Sequence, residues 1–245
     1  TEGVTFEKDE IDELRSIYQD QEPYEVLMRM AEILATNFTR VADRPLLHVV
    51  VDLVFHSVLM IPYGGIVEPG TLDVLVFGAT STGKGKTAEG LIRLYQRGEV
   101  ISAKRCTTAG LIGGTVRHNQ GFDVVPGAWP LRNGDLIVMD EAIDWTILQD
   151  LTRARRDGVA EFTHAGASQR MAALVRKIWV MNPPEGKTLA SYRFGAEVIR
   201  DLARTEEDVA RWDLAVGVAS DVDESKIMSM AEPLTEEPPI SEALL

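Results

Sequence analysis

"TLDVLVFGATSTGKGKTAEGLIRLYQRG", residues 71–98, decides the fold. It opens with a Val- and Leu-rich apolar run that closes on Gly78, the pattern of a strand buried on both faces. From Lys86 to Gly98 the spacing is helical and ends in glycine. Between the two lies a phosphate-binding loop: a glycine-rich turn whose N–H groups wrap phosphate oxygens, a lysine, and the positive end of a helix. The loop can be written in two registers. In one, Gly78 ends the strand, Ala79, Thr80, Ser81 and Thr82 form the arch, and Gly83-Lys84 follow. That register leaves Gly85 where the usual pattern has the Ser or Thr that holds Mg2+. In the other, Gly85, Lys86 and Thr87 supply the hydroxyl, but Thr80 replaces the first glycine. Lys84 is preferred because Gly78 stands where the chain must turn; Thr87 or water then completes the metal shell. Lys86 stays open, because it alone is followed directly by threonine.

Two further strand-like runs end in polar groups. "GDLIVMDEA" (134–142) closes on Asp140 and Glu141. In a P-loop ATPase the first carboxylate holds Mg2+ and the second orients the attacking water. "VRKIWVMNPPEG" (175–186) presents Asn182 at its end, an amide suited to touch both the γ-phosphate and that water. "ILQDLTRARRD" (147–157) predicts a helix, "GVAEFTHAGASQRMAALV" (158–175) a hairpin and "WDLAVGVAS" (212–220) a fourth apolar strand. Upstream, residues 8–36 read as two amphipathic helices broken near Pro23, and 45–60 as a more buried helix stopped by "IPYGG". Strands alternating with helices imply an α/β fold with a mostly parallel sheet covered on both faces. The expected organisation is an N-terminal helical segment (1–68), an α/β core (69–220) and an acidic, proline-containing linker (221–245).

Charge and composition bound the function. With 25 basic and 38 acidic residues the net charge is −13, which argues against a domain that coats DNA by bulk attraction. A few basic side chains presented in a pore remain compatible with it. A single cysteine, Cys106, excludes an intrachain disulfide. The longest apolar stretch, residues 46–61, contains Asp52 and two histidines, which suits a buried helix better than a membrane span. The acidic start "TEGVTFEKDEIDEL" shows no signal peptide, so the expected compartment is the cytoplasm, nucleoid-associated in a prokaryote.

Loop lysine, Asp-Glu pair and strand-end Asn, in this order, are the parts of an AAA+ ATPase. Over most of its length the chain resembles one AAA+ branch, the minichromosome maintenance (MCM) helicases. "SAKRCTTAGLIGGTV" (102–116) resembles the family segment that leads to its helix-2 insert, and "VVPGAWPLRNGDLIVMDEAID" its hairpin return and Walker B strand. "LTRARRDGVAEFTHAG" looks like the helix and rising arm of the pre-sensor-1 hairpin, and "VARWDLAVGVASDVDESK" is similar to the family's Ser-Arg-Phe-Asp-Leu segment. The resemblance implies ATP and Mg2+ as cofactors and Arg211 as an arginine finger acting in trans. It also implies a head-to-tail ring, expected to be a hexamer, with single-stranded DNA in a pore lined by residues 112–130 and 157–177.

The chain departs from the family in its loop, "GATSTGKG", which is closer to a general Walker A, and in His164, which replaces the lysine at the hairpin tip. Arg170 or Arg176 is the candidate substitute for DNA contact. Arg153, Arg155 and Arg156 form a basic cluster, read either as a solvated, ion-paired face or as an inter-subunit contact near nucleotide. "EPPISEALL" resembles the start of the C-terminal lid, so the lid and its sensor-2 arginine are expected to be missing. Two other functions stay open: a MoxR-like AAA+ remodeller of protein partners, and a nucleotide-binding scaffold with little turnover.

Overall fold

The computed structural model of the protein describes residues 8–118, 121–141, 145–164, 167–203 and 205–220. The expected linker, 221–245, lies outside them. Two amphipathic helices open the chain, α1 (Lys8–Tyr18) and α2 (Pro23–Ile33). Pro23 takes the first position of α2, where its missing N–H would be unbonded anyway. α2 continues into a π-helical turn, Leu34–Thr39, which Arg40 ends in the left-handed region at φ 55°. α3 (Pro45–His56) also starts on proline. It stops at His56 rather than at residue 60, because Ser57 turns extended and a hairpin follows. β1 (Met60–Tyr63) pairs antiparallel with β2 (Ile66–Pro69) across Gly64-Gly65, both at positive φ as such tight turns require. "IPYGG" is thus a strand and its turn.

The core follows in alternation. β3 (Asp73–Gly78) leads to α4 (Lys84–Tyr95), β4 (Glu99–Ser102) and α5 (Thr108–Leu111). A hairpin, β5 (Gly113–His118) and β6 (Gly121–Pro126), precedes α6 (Ala128–Leu131) and β7 (Leu136–Asp140). The expected helix over 147–157 is two short ones, α7 (Trp145–Asp150) and α8 (Thr152–Asp157). The second hairpin, β8 (Val159–His164) and β9 (Ala167–Ala172), falls where the sequence predicts it. β10 (Arg176–Met181), α9 (Ile199–Leu202), α10 (Glu206–Ala210) and β11 (Leu214–Val218) complete the described chain.

Five of these strands form one parallel sheet in the order β11-β3-β10-β7-β4. The path from β3 to β4 passes β10 and β7, whereas the path from β10 to β11 passes β3 in the opposite direction. Right-handed crossovers put these two connections on opposite faces, so the chain parts above the carboxyl ends of β3 and β10. Ligands of open α/β sheets bind at such a switch point.

Side-chain alternation matches the two covered faces. Val74, Val76, Val138, Ile178 and Val180 pack with Leu47, Val51 and Val54 of α3 and Ala88 and Leu91 of α4. Leu75, Phe77, Met139, Trp179 and Met181 pack with Leu148 and Leu151 and with Val198 and Leu202. α3 and the π-helical turn are therefore part of the core. His48 is fully buried in it: Nδ1 faces the Arg44 carbonyl at 2.8 Å, so that nitrogen donates, and Nε2 accepts from the Thr39 hydroxyl at 2.7 Å. Burial lowers its pKa and keeps it neutral. Thr39 lies so close to α4 that a Cβ on Gly90 would meet its Cγ2 at 2.8 Å. Among the described residues, no helix is long and apolar enough to cross a membrane.

Candidate functional site

β3 aims its last residue into the loop. Gly78 has φ 156°, and a Cβ there would lie 2.2 Å from the Val218 carbonyl oxygen of β11, so the position has room only for glycine. The chain then passes through Ala79, Thr80 and Ser81, the last at φ 62°, and through Thr82, whose hydroxyl donates to the Ala79 carbonyl at 2.9 Å. Gly83, at φ 91°, starts α4; a Cβ on it would strike Val41 Cγ1 at 2.4 Å. The loop thus leans on the turn after the π-helical segment. Arg44 reinforces that support by donating to the Ala219 carbonyl at 2.7 Å, just beyond β11.

Lys84, 4% exposed, folds back into the loop. Its Nζ donates to the Gly78 carbonyl at 2.9 Å, the Ala79 carbonyl at 2.5 Å and the Thr82 hydroxyl at 3.2 Å. Burial pulls its pKa down to about 8, opposed by the Asp140 charge. Lys86 lies on the exposed side of α4. Thr87 is fully buried, and its Oγ1 has no hydrogen-bond partner among the described residues. Gly85 faces β7: a Cβ there would stand 3.9 Å from Asp140 Oδ2.

The other strand ends line up beside the loop. Val180 is level with Asp140 and Met181 with Phe77, so Asn182, exposed just past β10, stands between the β3 and β7 ends. Asp140 Oδ1 accepts the N–H of Glu141 at 3.0 Å. Glu141 has φ 74°, a left-handed conformation that costs a non-glycine residue about 1–3 kcal/mol and recurs at functional sites. Its carboxylate turns toward the end of β4, where it accepts from Ser102 Oγ at 3.1 Å and Lys104 Nζ at 3.2 Å. Those bonds, Lys104 first, hold its pKa below the usual carboxylate range. Ser102 and Lys104 carried no role in the sequence reading beyond the resemblance of their segment. Their partner is 37 and more residues away, and nothing local announces the pairing.

Arg211 stands elsewhere. It caps α10 before the amino end of β11, bound to Glu207 and, at 3.5 Å, to Asp208. The sheet is parallel, so Arg211 lies at the end opposite this chain's own loop. β3 is six residues long, which separates the two by about 20 Å at ~3.3 Å per residue.

The basic cluster divides into ion pairs. Arg153 pairs with Glu161, and Arg156 with Asp157 at 2.7 Å. Arg155 is no surface residue: it is 5% exposed and paired with Asp73 Oδ2 at 2.9 Å. Arg176 donates to the Ser57 and Gly134 carbonyls at 2.8 and 3.0 Å, which ties it to the scaffold rather than to a pore. Arg170 is exposed on β9. His164 ends β8 opposite Ala167, and the tip residues 165–166 lie outside the described ones. A groove of about 390 Å3 runs between the β1–β2 and β8–β9 hairpins, lined by Met60, Val67, Arg170, Met171 and Leu174 among others; no residue of the loop 78–84 borders it.

No protein-family model and no curated protein matches this chain. What the site can do follows from its own geometry.

Proposed function

We propose that this chain is the ATP-hydrolysing core of an MCM-like AAA+ motor that works as a head-to-tail ring and moves on single-stranded DNA. The observation that carries the nucleotide-hydrolysing part of the reading is the strand order; the ring and the DNA rest on the resemblance of the sequence to MCM helicases. The strand order sets the Lys84 loop, Asn182 and the Asp140-Glu141 pair on three adjacent parallel strand ends, β3, β10 and β7, at the switch point of the sheet.

Each group then has a task. Lys84, with the loop N–H groups and the amino end of α4, neutralises the β- and γ-phosphates. Asn182 contacts the γ-phosphate and the attacking water. Glu141 takes the proton from that water, for which its carboxylate must leave Lys104 and Ser102. Asp140 is the carboxylate that would hold Mg2+, with water completing the shell; Thr87, the sequence candidate for that place, has an orphaned buried hydroxyl but stands about 200° around α4 from Gly85, the position that faces Asp140. That donor set suits Mg2+, which keeps its waters and leans on one carboxylate and the substrate phosphates. Bound there, the ion supplies charge neutralisation of the transferred phosphoryl group. Arg211, remote from its own loop, serves the neighbour's. A heterologous contact of that kind closes into a ring or runs on as a filament.

One observation favours a protein substrate instead of DNA. Arg153 and Arg156 are ion-paired and Arg176 is bound to backbone carbonyls, so among the described residues the two hairpins expected to line the pore present only Arg117 and Arg170 as exposed cations. ATP hydrolysis by the wild type, Lys84→Ala, Lys86→Ala and Arg211→Ala, with and without single-stranded DNA and over a range of concentrations, separates the readings. Turnover that rises with concentration and DNA, and is lost in Lys84→Ala and Arg211→Ala, is the expected result. Turnover indifferent to DNA moves the reading to the remodeller. Absence of turnover in every state leaves a nucleotide-binding scaffold and overturns the motor.

A further inference from the structure

The amino end of the sheet, opposite the loop, holds a buried charged cluster that hydrolysis does not use. Its centre is Asp73, the first residue of β3 and 4% exposed. Asp73 Oδ2 accepts from Arg155 Nε at 2.9 Å, and Oδ1 from Trp179 Nε1 at 2.6 Å. The backbone of Asp73 is bound reciprocally to Asp213: Asp73 N donates to Asp213 Oδ2, and Asp213 N to Asp73 O, both at 2.8 Å. The Arg155 guanidinium lies 4.8 Å from the ring centre of Trp179 and 5.8 Å from that of Trp212. Both of its terminal nitrogens lack a hydrogen-bond partner among the described residues. Lys177 reaches the Thr71 hydroxyl and the Arg155 carbonyl, each at 3.4 Å.

Leaving two N–H groups of a buried guanidinium unbonded is costly, and an apolar side chain of similar size would fill the space at no such penalty. Stacking between aromatic faces uses a property that arginine has and such a side chain lacks. The faces it touches belong to Trp179, on the Asn182 strand, and to Trp212, the neighbour of Arg211 in sequence. Glu207 and Asp208 hold only the Arg211 side chain, from the preceding helical turn. What fixes its backbone against the sheet is Trp212, 8% exposed beside Arg155, and Asp213, bound to Asp73.

We propose that Asp73, Arg155 and Trp212 are positioning residues for Arg211: they lock the segment bearing the trans-acting arginine to the strand whose far end, Gly78, begins the phosphate loop. The inference rests on the reading of Arg211 as a finger. Under it, β3 joins the two half-sites of one subunit, receiving phosphate contacts at one end and setting the finger offered to the next subunit at the other.

A two-component assay tests this. Lys84→Ala supplies fingers but no working site; Arg211→Ala supplies sites but no finger. Their mixture hydrolyses ATP only where one serves the other. Arg155→Lys, which keeps the ion pair to Asp73 and loses the planar stack, is then added to either component, and Trp212→Leu likewise. Thermal melting and nucleotide binding of each variant report on folding. With either change in the finger donor, turnover should fall by about 10²-fold, the order of loss for a catalytic group displaced by an ångström. The same change in the site donor should leave the mixture near its original rate. Equal loss on both sides, or none on either, overturns the proposal and leaves the cluster a fold element. If the unmodified mixture is inactive while the wild type turns over, Arg211 is no trans finger, and both readings fall together.

Discussion

Raising the pH from 7 to 9 is expected to weaken nucleotide binding through one side chain. Lys84 is buried, its pKa drawn from 10.5 to about 8 by lost solvation, with Asp140 pulling the other way more weakly. In the free loop its donors are taken up by two carbonyls and the Thr82 hydroxyl. A triphosphate beside it favours the charged form, so binding takes up a proton wherever the free lysine is neutral. With a free-loop pKa of about 8, roughly nine-tenths of the lysines are charged at pH 7 and about one-tenth at pH 9. Apparent affinity should therefore drop about tenfold over that interval, or ~1.4 kcal/mol. Titration of a fluorescent ATP analogue at pH 7, 8 and 9, at fixed ionic strength and Mg2+, measures the slope. Calorimetry in two buffers of different protonation enthalpy counts the proton. Lys86 is exposed, so Lys86→Ala should keep the slope, whereas Lys84→Met should bind weakly and show none. A flat affinity in the wild type, or a slope that survives in Lys84→Met, refutes the argument. The free protein gives the companion sign: the folded pKa lies below the unfolded one, so charged Lys84 costs stability below pH 8. That cost fades as pH climbs from about 8 to 10.5, and the melting temperature of the free protein gains a rising contribution there.

Three further outcomes are expected. Asp73→Asn leaves the Arg155 and Lys177 charges buried without their carboxylate and should lower stability by about 3–5 kcal/mol, read as a shifted urea midpoint; an unchanged midpoint would mean that the pair contributes little. Gly85→Ser adds a hydroxyl on a Cβ that stands 3.9 Å from Asp140 Oδ2, and should lower the Mg2+ concentration needed for half-maximal hydrolysis. Identical Mg2+ titrations in both proteins would remove position 85 from the metal shell. Lys104→Ala frees the Glu141 carboxylate and lets its pKa rise, so basal hydrolysis should increase several-fold at constant nucleotide affinity. A loss of rate would instead assign Lys104 to the substrate.

How much of this was legible in the sequence depends on whether the cause was local. The fully buried "VLVF" of β3 and "LIVM" of β7 are apolar without interruption, and each is followed by its polar payload, so strand and site appear together in the text. β4 escaped because an edge strand of four half-buried residues, "EVIS", has neither a continuous apolar run nor a clean alternation. The β1–β2 hairpin escaped for the opposite reason: Met60 and Ile61 continue the apolar run of α3, although both are exposed on a strand. Arg155 looked like its neighbours in "RARR". Helical spacing nonetheless sets it beside Leu151 and Ala154, the buried side of α8, and that signal could have separated it from Arg153 and Arg156. The turn of Glu141 toward Lys104 is tertiary and leaves no trace in its own segment.

The packing of α3 and the π-helical turn against β3 and α4 bears on how the protein can be cut. A fragment begun at residue 69, where the α/β core starts in the sequence, would strip Leu34, Leu47, Val51 and Val54 from Val74, Val76, Ala88 and Leu91. It would also remove Val41 from behind Gly83 and Arg44 from the end of β11. Such a fragment would present an open apolar sheet face and a loop without its backing, and it would precipitate rather than bind nucleotide. The smallest expressible unit therefore begins no later than α2, and an N-terminal nick inside α3 would silence the loop while leaving each of its residues in place.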